Sequence, residues 1–155
     1  LRIGWAVTRK KWLFDRMAAF KDYTTICSSS PSEFLASLAL KHKFKILERN
    51  RKIILSNLNK LETFFEDYGA YFDWNKPKAG PLIFPRLKFT DNADAFCHDL
   101  LEKKGVLLLP GQQFEYSDQF VRLGFGRKNM PEALGKLAEY MAMIPKPGKS
   151  SKKKK

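Results

Sequence analysis

The stretch Phe120-Val121-Arg122-Leu123-Gly124-Phe125-Gly126 predicts a buried strand that carries a charge. Large apolar residues flank Arg122 on both sides, and a short apolar run of this kind is typical of a core strand. An arginine in that setting must meet an anion, because an unpaired buried charge is costly. Two partners remain open: an Asp or Glu in a structural ion pair, or the carboxylate or phosphate of a ligand held by the planar guanidinium.

The segments around this strand predict an α/β fold. After Tyr68 the pattern reads strand, strand, helix, strand, strand, helix, which favours helices packed on one face of a largely antiparallel sheet. Pro85 indicates an edge or a bulge in the second strand. We expect Asp91 to cap the first helix, and Asn129 with Glu132 to form a capping box for the second. The predicted strands span 72–74, 82–87, 106–109 and 120–125, and the predicted helices span 91–104 and 129–143.

The earlier part of the chain predicts one short strand followed by helices. Residues 3–7 form an apolar run typical of a buried strand. Thr8 is a candidate cap for a helix through Tyr23, and Ser30 followed by Pro31 predicts the start of the next helix. After His42 the spacing of apolar residues predicts one long amphipathic helix that ends near Gly69. The residues expected on the inner face of the helix after Thr8 are Trp12, Leu13, Met17 and Phe20.

Length and composition restrict the class of protein. The chain has 155 residues, 44% of them hydrophobic, which is ordinary for one domain or for one small domain plus part of another. There is no apolar run of about 18 residues, so we expect no transmembrane helix. The formal charge is +13, and six lysines in the final stretch leave +7 for the body. Basic residues in the body alternate with acidic ones and no nucleic-acid motif occurs, so we expect no nucleic-acid partner.

The cysteines and histidines indicate a protein without a metal site. Cys27 and Cys97 form no C-x-x-C pair, and with no secretion signal they predict reduced thiols in the cytoplasm. His42 and His98 have no metal-ligand spacing with them. The sequence also lacks G-x-S-x-G, H-E-x-x-H and Walker-type motifs, so it offers no catalytic constellation of its own.

Four segments in order resemble the class I/II aminotransferases, which are fold-type I pyridoxal-phosphate enzymes. They are Leu1-Arg2-Ile3-Gly4-Trp5, the K-P-x-A-G-x-x-x-F-P run at 76–85, V-x-x-x-P-G at 106–111, and the strand at 120–126. The resemblance covers about residues 1–144. It implies the carboxy-terminal end of the large cofactor-binding domain over 1–41, a connector helix over 42–67, a small α/β domain over 68–144, and a disordered Lys-rich tail over 145–155.

The resemblance also implies roles for particular residues. Arg2 matches the family arginine that contacts the phosphate of pyridoxal 5'-phosphate, and Arg122 matches the arginine that binds the substrate α-carboxylate. Gly80 matches a loop near the active site, where a missing side chain leaves room for substrate, although a plain turn glycine explains it equally well. The Schiff-base lysine is expected upstream of Leu1, so this chain alone should be inactive. None of the early lysines, Lys10, Lys11 and Lys21, occupies its place.

The function implied for the complete protein is amino-group transfer between an α-amino acid and a 2-oxo acid, by a cytoplasmic homodimer. Arg86 and Arg127 are candidates for a second carboxylate clamp, or simply surface charges. A different reaction of the same fold, such as that of a lyase or decarboxylase, stays open, because one fold hosts many functions. So does a basic binding module for nucleic acid or another anionic partner, and so does a purely structural interaction domain.

Overall fold

A computed structural model of the protein describes residues 2–146. Within them the helices are α1 (Lys11–Thr24), α2 (Ser30–Lys41), α3 (Lys43–Asp67), α4 (Ala93–Lys104) and α5 (Met130–Met141). The strands are β1 (Phe72–Asp73), β2 (Leu82–Ile83), β3 (Arg86–Leu87), β4 (Leu109–Pro110) and β5 (Val121–Gly124). The order of elements and the antiparallel pairing of every described strand confirm the predicted α/β class.

The chain divides into two compact units, Leu1–Arg49 and a second that begins at Asn50. The division falls inside α3, which is the long helix predicted after His42. The proposed boundaries of the large domain, connector and small domain remain predictions. Of the predicted Lys-rich tail, residues 147–155 lie outside the described part of the chain.

The first unit is helical, and its predicted strand is wrong. Residues 3–7 are irregular, since no strand of the described chain pairs with them and a strand needs a neighbour for its backbone hydrogen bonds. Helix α1 starts at Lys11, later than predicted, and the Thr8 hydroxyl accepts a hydrogen bond from the Lys10 amide instead of capping the helix. Ser29, and not Ser30, occupies the cap position of α2, although its side chain makes no capping hydrogen bond, and Pro31 lies in the first turn.

Three of the four residues expected on the inner face of α1 are exposed, and the fourth, Leu13, is half-buried. No residue of α1 or α2 is buried, and Trp12 and Phe20 are 59% and 69% exposed. The apolar spacing correctly predicts a helix, but a helix buries its apolar stripe only where another surface covers it. Leu47, on the part of α3 that belongs to the first unit, is likewise exposed.

The second unit contains the hydrophobic core. On α3, Leu58, Leu61 and Phe65 are buried as the spacing predicts. Helix α4 contributes Phe96 and Leu100. Helix α5 adds Leu137 and Met141, strand β5 adds Val121 and Leu123, and Phe125 directly after β5 is also buried in this core.

The strands form two small sheets. One pairs β1 with β3, and the other has the order β2-β5-β4 with β5 in the middle. The single strand predicted over 82–87 is therefore wrong, because Pro85 lacks an amide hydrogen and separates β2 from β3. The strand predicted over 106–109 is shorter and lies later, at β4.

The helix ends of this unit partly match their predictions. Asn92, and not Asp91, caps α4, and its side-chain oxygen accepts a hydrogen bond from the Ala95 amide at 2.9 Å. Gly105 ends the helix with φ 66°, a left-handed conformation that favours glycine. Asn129 occupies the cap position of α5, but its side chain makes no capping hydrogen bond, so the predicted capping box with Glu132 does not form.

Candidate functional site

Arg122 lies on β5, the middle strand of its sheet. Successive side chains of a strand point to opposite faces, and Val121 and Leu123 on either side of Arg122 are buried in the core. Arg122 itself is half-buried and stands opposite Leu109 of β4. The strand therefore carries the guanidinium on the face opposite to its two core residues.

The guanidinium has an aromatic neighbour in place of an acidic one. Its Cζ atom lies 4.7 Å from the centre of the Phe114 ring, within the range of a cation–π contact. Among residues 2–146 no carboxylate forms a salt bridge with Arg122, and no hydrogen bond of its guanidinium is observed. The structural ion pair considered from the sequence is thus absent from the described chain, and the N–H groups are available for a ligand.

Arg122 lines a groove of about 460 Å³ in the second unit. Leu82, Leu109 and Leu123 also line the groove, and Arg127 is a second basic residue of its lining. No acidic side chain of the described residues lines it. An apolar groove with positive groups suits an organic anion.

Arg86, the other candidate for a second clamp, is already engaged elsewhere. It lies on β3 and is exposed, and its Nε donates a hydrogen bond to the Gln119 side chain at 2.9 Å. Arg127 is exposed as well, but it shares the groove with Arg122. The structure therefore brings together Arg122 and Arg127, and it gives Arg86 a different partner.

The segment between β4 and β5 places Phe114 beside Arg122. It opens with a 3₁₀ turn over Gly111–Phe114. The Gly111 amide donates to the Phe120 carbonyl at 2.7 Å, and a Cβ on Gly111 would lie only 2.3 Å from the Ser117 carbonyl oxygen. Glycine is required here because the backbone approaches this closely, a need that the sequence showed only as a Pro-Gly pair.

Asn57 is a functional candidate that the sequence reasoning missed. It is a buried residue of α3, 3% exposed, and its side-chain amide donates hydrogen bonds of 2.8 Å to the carbonyls of Phe125 and Arg127. These carbonyls directly follow the strand that carries Arg122. The available signal was a lone Asn among apolar residues on the inner face of the helix, since buried amides are normally hydrogen-bonded.

The roles that the family resemblance implies for Arg2 and Gly80 remain predictions. Arg2 is exposed, has φ 58°, and no ion pair or hydrogen bond of its side chain is observed among residues 2–146. Gly80 is exposed with φ 80°, and a Cβ there would meet no atom within 4 Å. The left-handed backbone by itself accounts for glycine at position 80.

The side chains of two of the three early lysines have local partners. Lys11 forms a salt bridge with Asp15 at 2.9 Å, and Lys21 donates to the Ile26 carbonyl at 2.7 Å.

Within the described residues there is no group of three or more His, Cys, Asp or Glu side chains that could hold a metal ion. The same part of the chain contains no helix that is long and apolar enough to cross a bilayer.

The strongest pKa shifts lie away from Arg122 and have structural causes. Burial raises the pKa of Tyr140 to about 12, aided by its hydrogen bond to Asp99. That hydrogen bond, with one from Lys103, lowers the pKa of Asp99. Burial also raises the pKa of Cys97 to about 12. The Tyr140–Asp99 bond links α5 to α4, and the Cys97 thiol stays protonated at neutral pH.

The comparison with family models decides the family. The model of the class I and II aminotransferases matches residues 1–137, which is most of the chain. The chain belongs to the class I and II aminotransferase family. This confirms the resemblance found in the sequence, and the solved structures below confirm the fold class.

The chain spans about a third of the length of the curated relatives and solved structures that it matches. Capreomycidine synthase from Streptomyces vinaceus is 26% identical over 143 residues, 91% of this chain and 36% of that protein. The HTH-type transcriptional regulator NorG of Staphylococcus aureus is 26% identical over 153 residues, 93% of this chain and 34% of its own. A PLP-dependent aminotransferase from Streptococcus suis superposes with a TM-score of 0.79 and 33% identity, over 88% of this chain and 37% of that structure.

Proposed function

We propose that the chain is the carboxy-terminal part of a pyridoxal-phosphate-dependent aminotransferase, which transfers an amino group between an α-amino acid and a 2-oxo acid. Membership of the class I and II aminotransferase family supports this reaction type. The observation that carries the proposal is Arg122, a half-buried residue of the groove lining whose guanidinium has no acidic partner in the described chain.

Both kinds of substrate share the group that such an arginine binds. An α-amino acid and a 2-oxo acid each carry a carboxylate next to the reacting carbon. A guanidinium donates two parallel hydrogen bonds to a carboxylate, which fixes both its position and its orientation. Holding the carboxylate at Arg122 would align the bond to be broken, and alignment of this kind contributes several kcal/mol to catalysis.

The residues present suit the anionic part of the cofactor. Arg2 is exposed and has no observed partner within residues 2–146, so its guanidinium is free to hold a phosphate dianion. Pyridoxal phosphate, when bound, supplies an electron sink for the substrate α-carbon. The lysine that would hold the cofactor and move the proton is proposed to lie upstream of Leu1. Gly80 is proposed to face the substrate from its loop.

Replacing Arg122 by Lys in the complete protein tests the proposal. Lysine keeps the positive charge but cannot form the two-bond contact. We expect kcat/KM for amino transfer to fall about 10- to 100-fold, the loss of roughly one charge-assisted hydrogen bond. Arg51→Lys, on the exposed side of α3, is the matched control and should leave kcat/KM unchanged. Equal activity of the two variants would remove Arg122 from the site.

A second candidate is a cofactor-binding domain of a transcriptional regulator. It is favoured by the match to NorG, which covers 93% of this chain with the same 26% identity as capreomycidine synthase. Both candidates predict binding of pyridoxal phosphate, but only the enzyme predicts turnover. Incubation of the complete protein with pyridoxal phosphate, a panel of amino acids and a 2-oxo acid separates them: new amino acid supports the enzyme, whereas cofactor binding without any product supports the regulator.

We also propose a cytoplasmic homodimer. The exposed apolar side chains of α1 and α2 support an assembly that covers them, since large exposed apolar patches mark interaction sites. The proposal of a reducing compartment is supported by the spacing of Cys27 and Cys97, which form no C-x-x-C pair. Light scattering of the complete protein tests the dimer, and a monomer at all concentrations would overturn it.

A further inference from the structure

Phe114 and Arg122 meet in a geometry that leaves the arginine's donors unused. The guanidinium carbon lies 4.7 Å from the centre of the Phe114 ring. A guanidinium that stacks on a ring uses its flat face, while its five N–H groups lie in its plane and point outward. The contact with Phe114 restrains the group, and no hydrogen bond to its N–H groups is observed among residues 2–146, so they remain for a carboxylate.

The Phe114 ring is itself held by other rings. Phe84 packs against Phe114 with the ring centres 6.1 Å apart and against Phe120 at 5.6 Å. Tyr116 packs on Phe84 at 5.5 Å and on Phe120 at 5.0 Å. The backbone below is closed by the hydrogen bond from the Tyr116 amide to the Gly111 carbonyl at 3.2 Å. Phe114 is thus held by its contact with the Phe84 ring, although 43% of the residue's surface is exposed.

We propose that Phe114 is a positioning residue, which orients the Arg122 guanidinium so that its N–H edge meets the carboxylate of the ligand. A free arginine side chain loses rotamer freedom when it binds, and that loss weakens binding. Stacking on Phe114 restricts the side chain beforehand, so less freedom is lost in the complex. The inference rests on the carboxylate role proposed for Arg122, and it adds the residue that prepares Arg122 for that role.

The experiment uses the complete protein, as in the kinetic test of Arg122, and pyruvate, the simplest 2-oxo acid, as the probe. The Nε–H resonance of Arg122 is followed by NMR during the titration and is assigned by its disappearance in Arg122→Lys. Three further variants are compared with the wild type. Phe114→Leu removes the ring, and Phe114→Tyr keeps its face. Tyr116→Leu removes a ring of the same aromatic group that has no observed contact with Arg122.

We expect pyruvate to shift the Arg122 resonance in a saturable way. Phe114→Leu should weaken the apparent affinity about two- to fivefold, as expected for a cation–π contact at a partly exposed site. It should also move the Nε–H shift of the ligand-free chain, because the ring current is lost. Phe114→Tyr should restore both the affinity and the shift, and Tyr116→Leu should retain the wild-type affinity even if it lowers stability.

The outcomes test the role of Phe114 separately from the role of Arg122. If the wild type binds pyruvate and Phe114→Leu binds it equally well, the positioning role is wrong while the role of Arg122 stands. If Tyr116→Leu weakens binding as much as Phe114→Leu, the effect is general loosening of the loop and the positioning role is again wrong. If pyruvate leaves the Arg122 resonance of the wild type unchanged, the carboxylate role of Arg122 fails, and the inference about Phe114 fails with it.

Discussion

Replacing Asn57 by Asp should strongly destabilise the second unit. The Asn57 amide donates two hydrogen bonds of 2.8 Å, to the carbonyls of Phe125 and Arg127, from a position that is 3% exposed. An aspartate has the same shape but no donor when ionised. The oxygen that takes the place of Nδ2 would face both carbonyl oxygens, so both hydrogen bonds are lost and a negative charge is buried without a partner.

The size of the effect follows from the burial of the two bonds. The hydrogen bond to the Phe125 carbonyl is buried, and leaving such an acceptor without a donor costs about 1–3 kcal/mol. The bond to Arg127 is only partly buried, so water replaces it in part and its loss costs about 0.5–1.5 kcal/mol. Burying the charge adds further cost. We expect the free energy of unfolding to fall by about 3–5 kcal/mol.

Urea unfolding followed by circular dichroism measures this difference, with two companion variants. Asn59→Asp adds the same charge at an exposed position of α3 and should change stability by less than about 0.5 kcal/mol. Asn57→Leu loses the donors without adding charge and should lie between the two. Lowering the pH protonates the new carboxyl, which can then donate one hydrogen bond, so the deficit of Asn57→Asp should shrink. Equal stability of Asn57→Asp and Asn59→Asp would show that the amide does not anchor the end of β5.

Two further predictions concern Gly111, in the segment that carries Phe114, and the two cysteines. Gly111→Ala should lower the free energy of unfolding, measured by urea denaturation, by about 2 kcal/mol or more. The new Cβ would approach the Ser117 carbonyl oxygen to 2.3 Å, so the backbone must shift. Gly135→Ala is the control: there is open space around its Cβ, and the change should not destabilise the chain. Iodoacetamide at mildly alkaline pH should label the exposed Cys27 and spare Cys97, whose pKa burial raises to about 12. Mass spectrometry of the digested chain reads out the two sites, and equal labelling would contradict the protonated state of Cys97.

Helices were more predictable than strands in this chain. The apolar spacing after His42 predicted α3, which runs without a break over Lys43–Asp67, because helical hydrogen bonds and periodicity are local. The strand expected over 3–7 did not form, since its existence depends on a partner elsewhere in the chain. The split at Pro85 is an intermediate case: the sequence marked the interruption, but only the pairing shows that the two halves join different sheets.

The candidate site, too, has features that the sequence predicted and features that depend on how the chain folds. Arg122 stood out in the sequence as a charge within an apolar strand, and the resemblance implied its role. Its contact with Phe114 and its lack of an acidic partner in the described chain depend on how the segment between β4 and β5 folds back. Asn57 is 68 residues away from Phe125 in sequence, so no local pattern connects them.

The sequence by itself determined the family, the helices and the identity of the charged strand residue. Its ordered segments, beginning at Arg2 and ending with the strand of Arg122, sufficed to place the chain among the class I and II aminotransferases. Only the tertiary structure decided which strands pair, that Phe114 rather than a carboxylate accompanies Arg122, and that Asn57 holds the end of β5. The physical reason is that these features join residues far apart in the chain, and their energies arise only when packing brings the partners together.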